Sequence, residues 1–203
     1  MSRDLLQFGP LTARSVHLCI DMQMLFAPGA VWAAPWMERV LPRVATIAQR
    51  FPERTVFTRF VPPLRGADMP GTWRRFYDRW PCVTGERLDP MYLELLPGLR
   101  ELVPPAEVVD RATYSAFGGG RLRACLAGRG ADALVVTGAE TDICVLATVL
   151  GAVDRGHRVI LVTDALCSSS DTGHDAILAM YRRRFGQQIE TVDCETILSA
   201  WNR

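Results

Sequence analysis

Ala133-Leu134-Val135-Val136-Thr137-Gly138-Ala139-Glu140-Thr141-Asp142-Ile143-Cys144-Val145 holds the end of a strand, a turn and the start of a helix in one stretch. The apolar run Ala133–Val136 reads as a buried strand. Gly138 breaks it, and Thr141-Asp142 opens a helix. Cys144 then falls in the first helical turn, where free backbone N–H groups and the macrodipole favour negative charge. A thiol so placed is expected to have a lowered pKa and more of its thiolate form. A cysteine packing a helix end as a small apolar residue is the alternative, so neighbouring segments decide between the two.

Outward from this stretch, strands and helices alternate. Val16-His17-Leu18-Cys19-Ile20 is short, apolar and β-prone, ends in Asp21 and reads as a first, central strand. Trp36 to Phe51 has helical spacing (Met37, Val40, Leu41, Val44, Ile47, Ala48), with Pro42 set to bend that helix or shift its start. Thr55–Phe60 reads as a second strand, and residues 61–105 as a long irregular stretch rich in proline and aromatics. Glu107-Val108-Val109 is a short third strand followed by Asp110-Arg111. Then come a helix over 121–129, a strand over 132–137, a helix over 142–155 and a strand over 158–163. A helix over 171–185, a strand over 189–191 and a final helix over 194–201 complete the pattern. Such alternation predicts an α/β fold of βαβ units: a mainly parallel, roughly six-stranded sheet between two helical layers, with residues 1–203 as one domain. Sites in open sheets of this kind form at the carboxyl ends of the strands. Asp21, Arg111 and Cys144 all fall there.

Composition narrows the function classes. A formal net charge of +1 gives no global basic field for nucleic acid. No apolar run approaches the roughly 20 residues that span a bilayer, and no signal-peptide core follows Met1-Ser2-Arg3-Asp4. The 6 cysteines show no CxxC or metal-finger spacing. Free thiols in a reducing, cytoplasmic setting are the expectation. All 23 basic residues are arginine; lysine is absent.

Several segments together resemble one family, the isochorismatase-like cysteine hydrolases, which include nicotinamidases, N-carbamoylsarcosine amidase and ureidoacrylate amidohydrolases. Asp21-Met22-Gln23 resembles its D-x-Q motif, and Arg111-Ala112-Thr113-Tyr114-Ser115-Ala116-Phe117 its K-x-x-Y-S-A-F segment. Gly138-Ala139-Glu140-Thr141-Asp142-Ile143-Cys144-Val145 resembles its G-x-x-T-D-x-C-V signature, and Val162-Thr163-Asp164-Ala165 and His174 also fit. The resemblance implies the three-layer isochorismatase-like hydrolase fold and a triad of Asp21 as general base, Cys144 as nucleophile and Arg111 where the family has lysine. It implies a cis peptide between Ala139 and Glu140 that turns backbone N–H groups toward the substrate oxygen, forming an oxyanion hole with the N–H of Cys144. It also implies a homo-oligomer acting on a small molecule without a cofactor.

Arg111 is the departure from the family pattern. It keeps the positive charge and can hold Asp21 through a fork, but it cannot give up a proton. Nicotinamidases carry an Asp/His cluster after the second strand; here that region reads Thr58-Arg59-Phe60-Val61-Pro62-Pro63, so no catalytic zinc is expected. Phe26, Tyr114 and Phe117 are candidates for the walls of a substrate pocket, with Gln23 orienting the ligand through its amide. Trp73, Phe76, Tyr77 and Trp80 share one helical face, more often core or interface than pocket. Arg65, Arg74, Arg75 and Arg79 offer attraction for a carboxylate or simply a solvated charged face. His174 reads as structural. The apolar helix from Ile143 to Val153 is expected to be buried on all sides. The leading reading is a metal-independent hydrolase of a small amide, carbamoyl or ureido C–N bond. The alternatives are a catalytically silent small-molecule binding protein and a vinyl-ether hydrolase, against which Cys144 argues.

Overall fold

The computed structural model describes residues 6–201. Six strands form one sheet: β1 (Val16–Ile20), β2 (Thr55–Phe60), β3 (Glu107–Arg111), β4 (Ala133–Ala139), β5 (Arg158–Cys167) and β6 (Ile189–Val192). Their spatial order is β3-β2-β1-β4-β5-β6, and every neighbouring pair is parallel. The chain winds outward from β1 to β3, then crosses back to β4 on the other side of β1. The strand order therefore reverses between β1 and β4, where a doubly wound sheet opens a crevice beyond its carboxyl ends.

Seven helices lie among these strands: α1 (Met37–Arg50), α2 (Trp73–Arg79), α3 (Pro97–Arg100), α4 (Arg121–Gly128), α5 (Leu146–Val153), α6 (Asp171–Arg184) and α7 (Cys194–Ala200). The strands are apolar on both faces because helices cover both. Val16, Leu18 and Ile20 of β1 and Leu134 and Val136 of β4 face α4, α5 and α6, packing with Leu122, Leu126, Val149, Leu178 and Tyr181. The intervening Cys19 and Val135 face the opposite layer, with Val40, Val44 and Ile47 of α1 and Ile197 of α7. The period of two along each strand thus sorts the core into two layers. Pro42 sits in the first turns of α1 without ending it.

β3, β4 and β5 each run beyond the end expected from the sequence. β3 runs on to Arg111, which pairs in register with Phe60, so Arg111 is a strand residue rather than one that follows the strand. β4 does not stop at Gly138: it continues to Ala139 through a register shift between Val136 and Gly138. A Cβ on Gly138 would lie 2.7 Å from the Ile20 backbone nitrogen, and its φ is 109°. Glycine there lets β4 press against β1 instead of breaking it. β5 extends to Cys167. The helix beyond Val145 is not buried all round either: Leu146, Leu150 and Val153 keep partial exposure, and Ile143 is 39% exposed.

His17 crosses the lower part of the sheet in a fully buried polar chain. Thr55 Oγ1 donates to Phe51 O at 2.9 Å, so it accepts from His17 Nδ1–H at 3.1 Å. His17 Nε2 then accepts from Thr137 Oγ1 at 2.8 Å. The chain requires a neutral imidazole, and burial pushes the His17 pKa down to about 3. The unfolded chain binds a proton near pH 6.5 that the folded one refuses. Folding stability is therefore expected to fall as pH drops from about 6.5 toward about 3, by up to about 1.4 kcal/mol per unit from this residue. Urea unfolding across that window should show a shallower slope in His17→Gln than in the parent chain. Gly138→Ala should destabilise by about 2 kcal/mol or more at any pH, because its methyl meets backbone.

Candidate active site

Three strand ends meet at the crevice. Asp21 directly follows β1 and is fully buried, with φ 49°, the only positive φ of a non-glycine residue among those described. Aspartate tolerates this left-handed conformation better than most residues. Thr58 Oγ1 donates to Asp21 Oδ1 at 2.7 Å, and the Asp21 N–H is directed at Thr58 O at 3.2 Å. Arg111, from the end of β3, places Nη2 against Asp21 Oδ2 and donates from Nη1 to Thr113 O. Its guanidinium lies 5.2 Å from the Phe60 ring centre and is 1% exposed. The same guanidinium lies close enough to the Cys144 thiol to pull its pKa down. Arg111 therefore pairs with Asp21 and places its positive charge within reach of Cys144.

Cys144 is carried by a wide turn, Thr141–Val145, in which the Val145 N–H reaches back five residues to Glu140 O at 3.0 Å. This π turn replaces the ordinary first helical turn foreseen in the sequence; such turns recur at functional sites. Polar anchors fix it from two sides. Thr141 Oγ1 donates to Cys167 O at 3.0 Å, so it accepts from His174 Nδ1 at 2.8 Å. Ser168 Oγ donates to Asp142 Oδ1 at 2.5 Å, and Ser168 Oγ in turn accepts from the Ser170 N–H. Ser170 caps α6 by accepting from the Gly173 N–H at 3.0 Å. A Cβ on Gly173 would fall 2.8 Å from Asp142 Cγ, so glycine lets the carboxylate sit against the start of α6.

The Cys144 thiol is pushed above its ordinary pKa, chiefly by burial, while Arg111 pulls it down and Glu140 pushes it up. This reverses the lowering expected from a helix start. The thiol is 5% exposed, and loss of water opposes the thiolate more than the turn's dipole favours it. The peptide between Ala139 and Glu140 is cis.

Cys144 lines a cavity of about 210 Å³ walled by Phe26, Trp32, Phe60, Phe76, Trp80 and Tyr114, with Glu140, Ile143 and Ser169 completing the lining. That is below the range of about 300–1,000 Å³ that holds drug-sized ligands, so the space suits a small molecule. Trp32 is the hub, with ring centres 5.6 Å from Phe60 and Phe76 and 6.1 Å from Phe26 and Trp80. Two candidate binding residues lie elsewhere. Gln23 is fully buried and spends its amide on the backbone: Nε2 donates to Phe60 O and Leu93 O, and Oε1 accepts from the Phe60 N–H at 2.7 Å. Phe117 points into the α4–α6 layer, stacked on His157 and under Arg155. Trp32, Phe60, Phe76, Trp80 and Ser169 were not singled out for the pocket. The i, i+3, i+4, i+7 face of α2 was the available signal: Phe76 and Trp80 line the cavity, while Trp73 backs Tyr114 at 4.7 Å. None of Arg65, Arg74, Arg75 and Arg79 lines the cavity; Arg65 pairs with Asp68, and Arg74 bonds Met69 O.

Among the described residues no group of three His, Cys, Asp or Glu side chains is placed to hold a metal ion. After β2, where nicotinamidases carry their cluster, Arg59 is forked onto Asp110 at 2.8 and 3.0 Å. The donor set does not fit a zinc site there. No helix among these residues is long and apolar enough to cross a membrane.

A buried acid, a guanidinium and a thiol thus gather at the switch point of a doubly wound, all-parallel sheet. The Isochorismatase domain model matches residues 15–193, and the chain belongs to that family. An isochorismatase family protein, PncA, of Bacillus subtilis (strain 168) is 31% identical over 53% of this chain and 60% of its own length. Nicotinamidase 3 of Arabidopsis thaliana is 32% identical over 48% of each chain. The chain spans about half the length of these curated relatives. A cysteine hydrolase from Pseudomonas syringae pv. phaseolicola 1448A superposes with a TM-score of 0.80 over 99% of this chain and 100% of its own, at 22% identity, which shows the shared fold.

The balance of charges on the thiol can be read directly. Alkylation of Cys144 by iodoacetamide should have its pH midpoint above the ordinary value of about 8.5. Asp21→Asn/Arg111→Gln, which leaves no unpaired buried charge, should raise that midpoint by about one unit or more. An unmoved midpoint would show that the guanidinium does not act on the sulfur.

Proposed function

We propose that this protein is a metal-independent cysteine hydrolase that cleaves the C–N bond of a small amide, carbamoyl or ureido compound. The observation that carries the reading is the gathering of Asp21 and Arg111 beside Cys144, which itself lines a small aromatic cavity. Relationship to a nicotinamidase supports the amide class.

In this reading Asp21 takes the thiol proton as the sulfur attacks the carbonyl carbon. A base is required because burial keeps the Cys144 thiol protonated at neutral pH. The negative oxygen of the tetrahedral intermediate is received by backbone N–H groups around Ala139–Glu140 and Cys144. The C–N bond then breaks, the leaving nitrogen takes the proton from Asp21, and a thioester remains on Cys144. Water attacks the thioester, Asp21 accepts its proton, and the acid departs as the thiol is restored. Arg111 holds Asp21 in place and supplies positive charge beside the sulfur. The reading takes residues 1–203 as one hydrolase unit. It also carries a reducing, cytoplasmic setting for the free cysteines and self-association through the half-exposed apolar side of α5.

Incubation with a panel of small amides should add an acyl mass to the intact protein, lost in Cys144→Ser. Cys144→Ser and Asp21→Asn should each lower ammonia release by about 10²–10⁴-fold or more. Arg111→Lys should stay within about tenfold of the parent, since lysine keeps the charge. Tight binding of an amide with neither adduct nor ammonia release would sink the hydrolase reading in favour of a silent binding protein.

A further inference from the structure

The cavity's charge inventory is one-sided. Of its lining side chains, Glu140 is the only carboxylate, and none is an arginine or lysine. Ser169 donates to Glu140 Oε2 at 3.0 Å. A carboxylate has about four acceptor positions, so acceptor capacity remains toward the cavity. Burial and the nearby Asp142 both push the Glu140 pKa up, while Ser169 pulls it down. Among the described residues no arginine or histidine forms an ion pair with this carboxylate. The two guanidiniums that touch the aromatic box do so from outside it. Arg111, over Phe60, is engaged by Asp21. Arg79 stands 5.7 Å from the Trp80 ring centre without entering the lining. Six aromatic rings complete the wall, and their faces attract cations.

Resting on the hydrolase reading of the same site, the geometry points to a small amide bearing a positive charge near its carbonyl as the ligand, with the Glu140 side chain selecting that charge inside the Phe26–Trp32–Phe60–Phe76–Trp80–Tyr114 box. A carboxylate-bearing amide meets an unpaired carboxylate and no free cation in this cavity, and is excluded. This role belongs to the Glu140 side chain and is separate from the part its backbone plays beside Cys144. A cation with no N–H still gains from the ring faces and from the carboxylate charge, so charge can be tested apart from hydrogen bonding.

The test uses three amides of matched size: 2-(trimethylammonio)acetamide, its uncharged isostere 3,3-dimethylbutanamide, and malonamate. Binding is measured in the Cys144→Ser protein through quenching of tryptophan fluorescence, so that it does not depend on turnover. The cationic amide should bind about tenfold or more tightly than the isostere, and malonamate more weakly than either. In Cys144→Ser/Glu140→Gln that preference should shrink to about threefold or less. Equal binding of cationic and neutral amides, or a preference that Glu140→Gln leaves intact, overturns the proposal. The intact-mass experiment on the parent protein separates the two claims. Charge-selective binding without acylation of Cys144 upholds the selectivity and rejects the hydrolase; acylation by the neutral amide at the same kcat/KM as the cationic one does the reverse.

Discussion

The site depends on one buried ion pair reaching across a strand. β2 lies between β3 and β1, so Arg111 and Asp21 are two strand spacings apart, about 10 Å between backbones. Only a long side chain closes that gap. Arg111 passes over the Phe60 ring on β2 and meets Asp21 just beyond β1. A fully buried carboxylate without such a partner would be strongly disfavoured, and removal of either member of a buried pair typically costs about 3–5 kcal/mol. Thr58 from β2 and the Thr113 carbonyl take up further bonding capacity. The pair, with Thr58, thus ties three strands together at their carboxyl ends. Gln23 does comparable work one layer out, joining the chain after β1 to Phe60 and Leu93.

The nucleophile is positioned by its neighbours rather than by bonds of its own. Thr141 and Asp142, either side of the turn's start, are tied to the ends of β5 and α6. His174 supports Thr141 from α6, and the bare Gly173 gives Asp142 room. Ile143 and Cys144 then project between these anchors into the cavity. Gly138 lets β4 run close against β1 just before the turn, which draws the sulfur toward Arg111. Mobility at Cys144 is limited by hydrogen bonds to two elements that are themselves fixed in the sheet and helix layers.

Much of this was legible in the sequence, and the exceptions share a cause. The βαβ order, the strand cores and the three strand-end residues follow from hydrophobic period and from where an open sheet places its crevice. What escaped was direction. Phe117 follows Arg111 as Tyr114 does, yet it turns into the α4–α6 layer while Tyr114 faces the cavity. Composition after a strand cannot say which way an irregular segment aims its rings. Trp32, Phe76 and Trp80 come from two separate segments that converge only in three dimensions. Gln23 has the right chemistry for a ligand, but the backbone of β2 claims it first. The sign of the Cys144 shift was missed because a helix start announces itself in sequence and the depth of burial does not.

That depth links charge selection to reactivity. Burial and the Glu140 carboxylate oppose ionisation of the Cys144 thiol, while Arg111 and the Glu140 backbone favour it. Arg111 and burial are fixed by the fold. Glu140 alone faces the cavity, so it alone is altered by what enters. A positively charged occupant offsets the Glu140 charge and removes part of the opposition to the thiolate, whereas a carboxylate occupant adds to it. The aromatic walls of the cavity lower the local dielectric and strengthen both effects. The side chain that discriminates between ligands by charge is thus also the one through which a ligand shifts the nucleophile's ionisation, in the direction of activation for the ligand it favours.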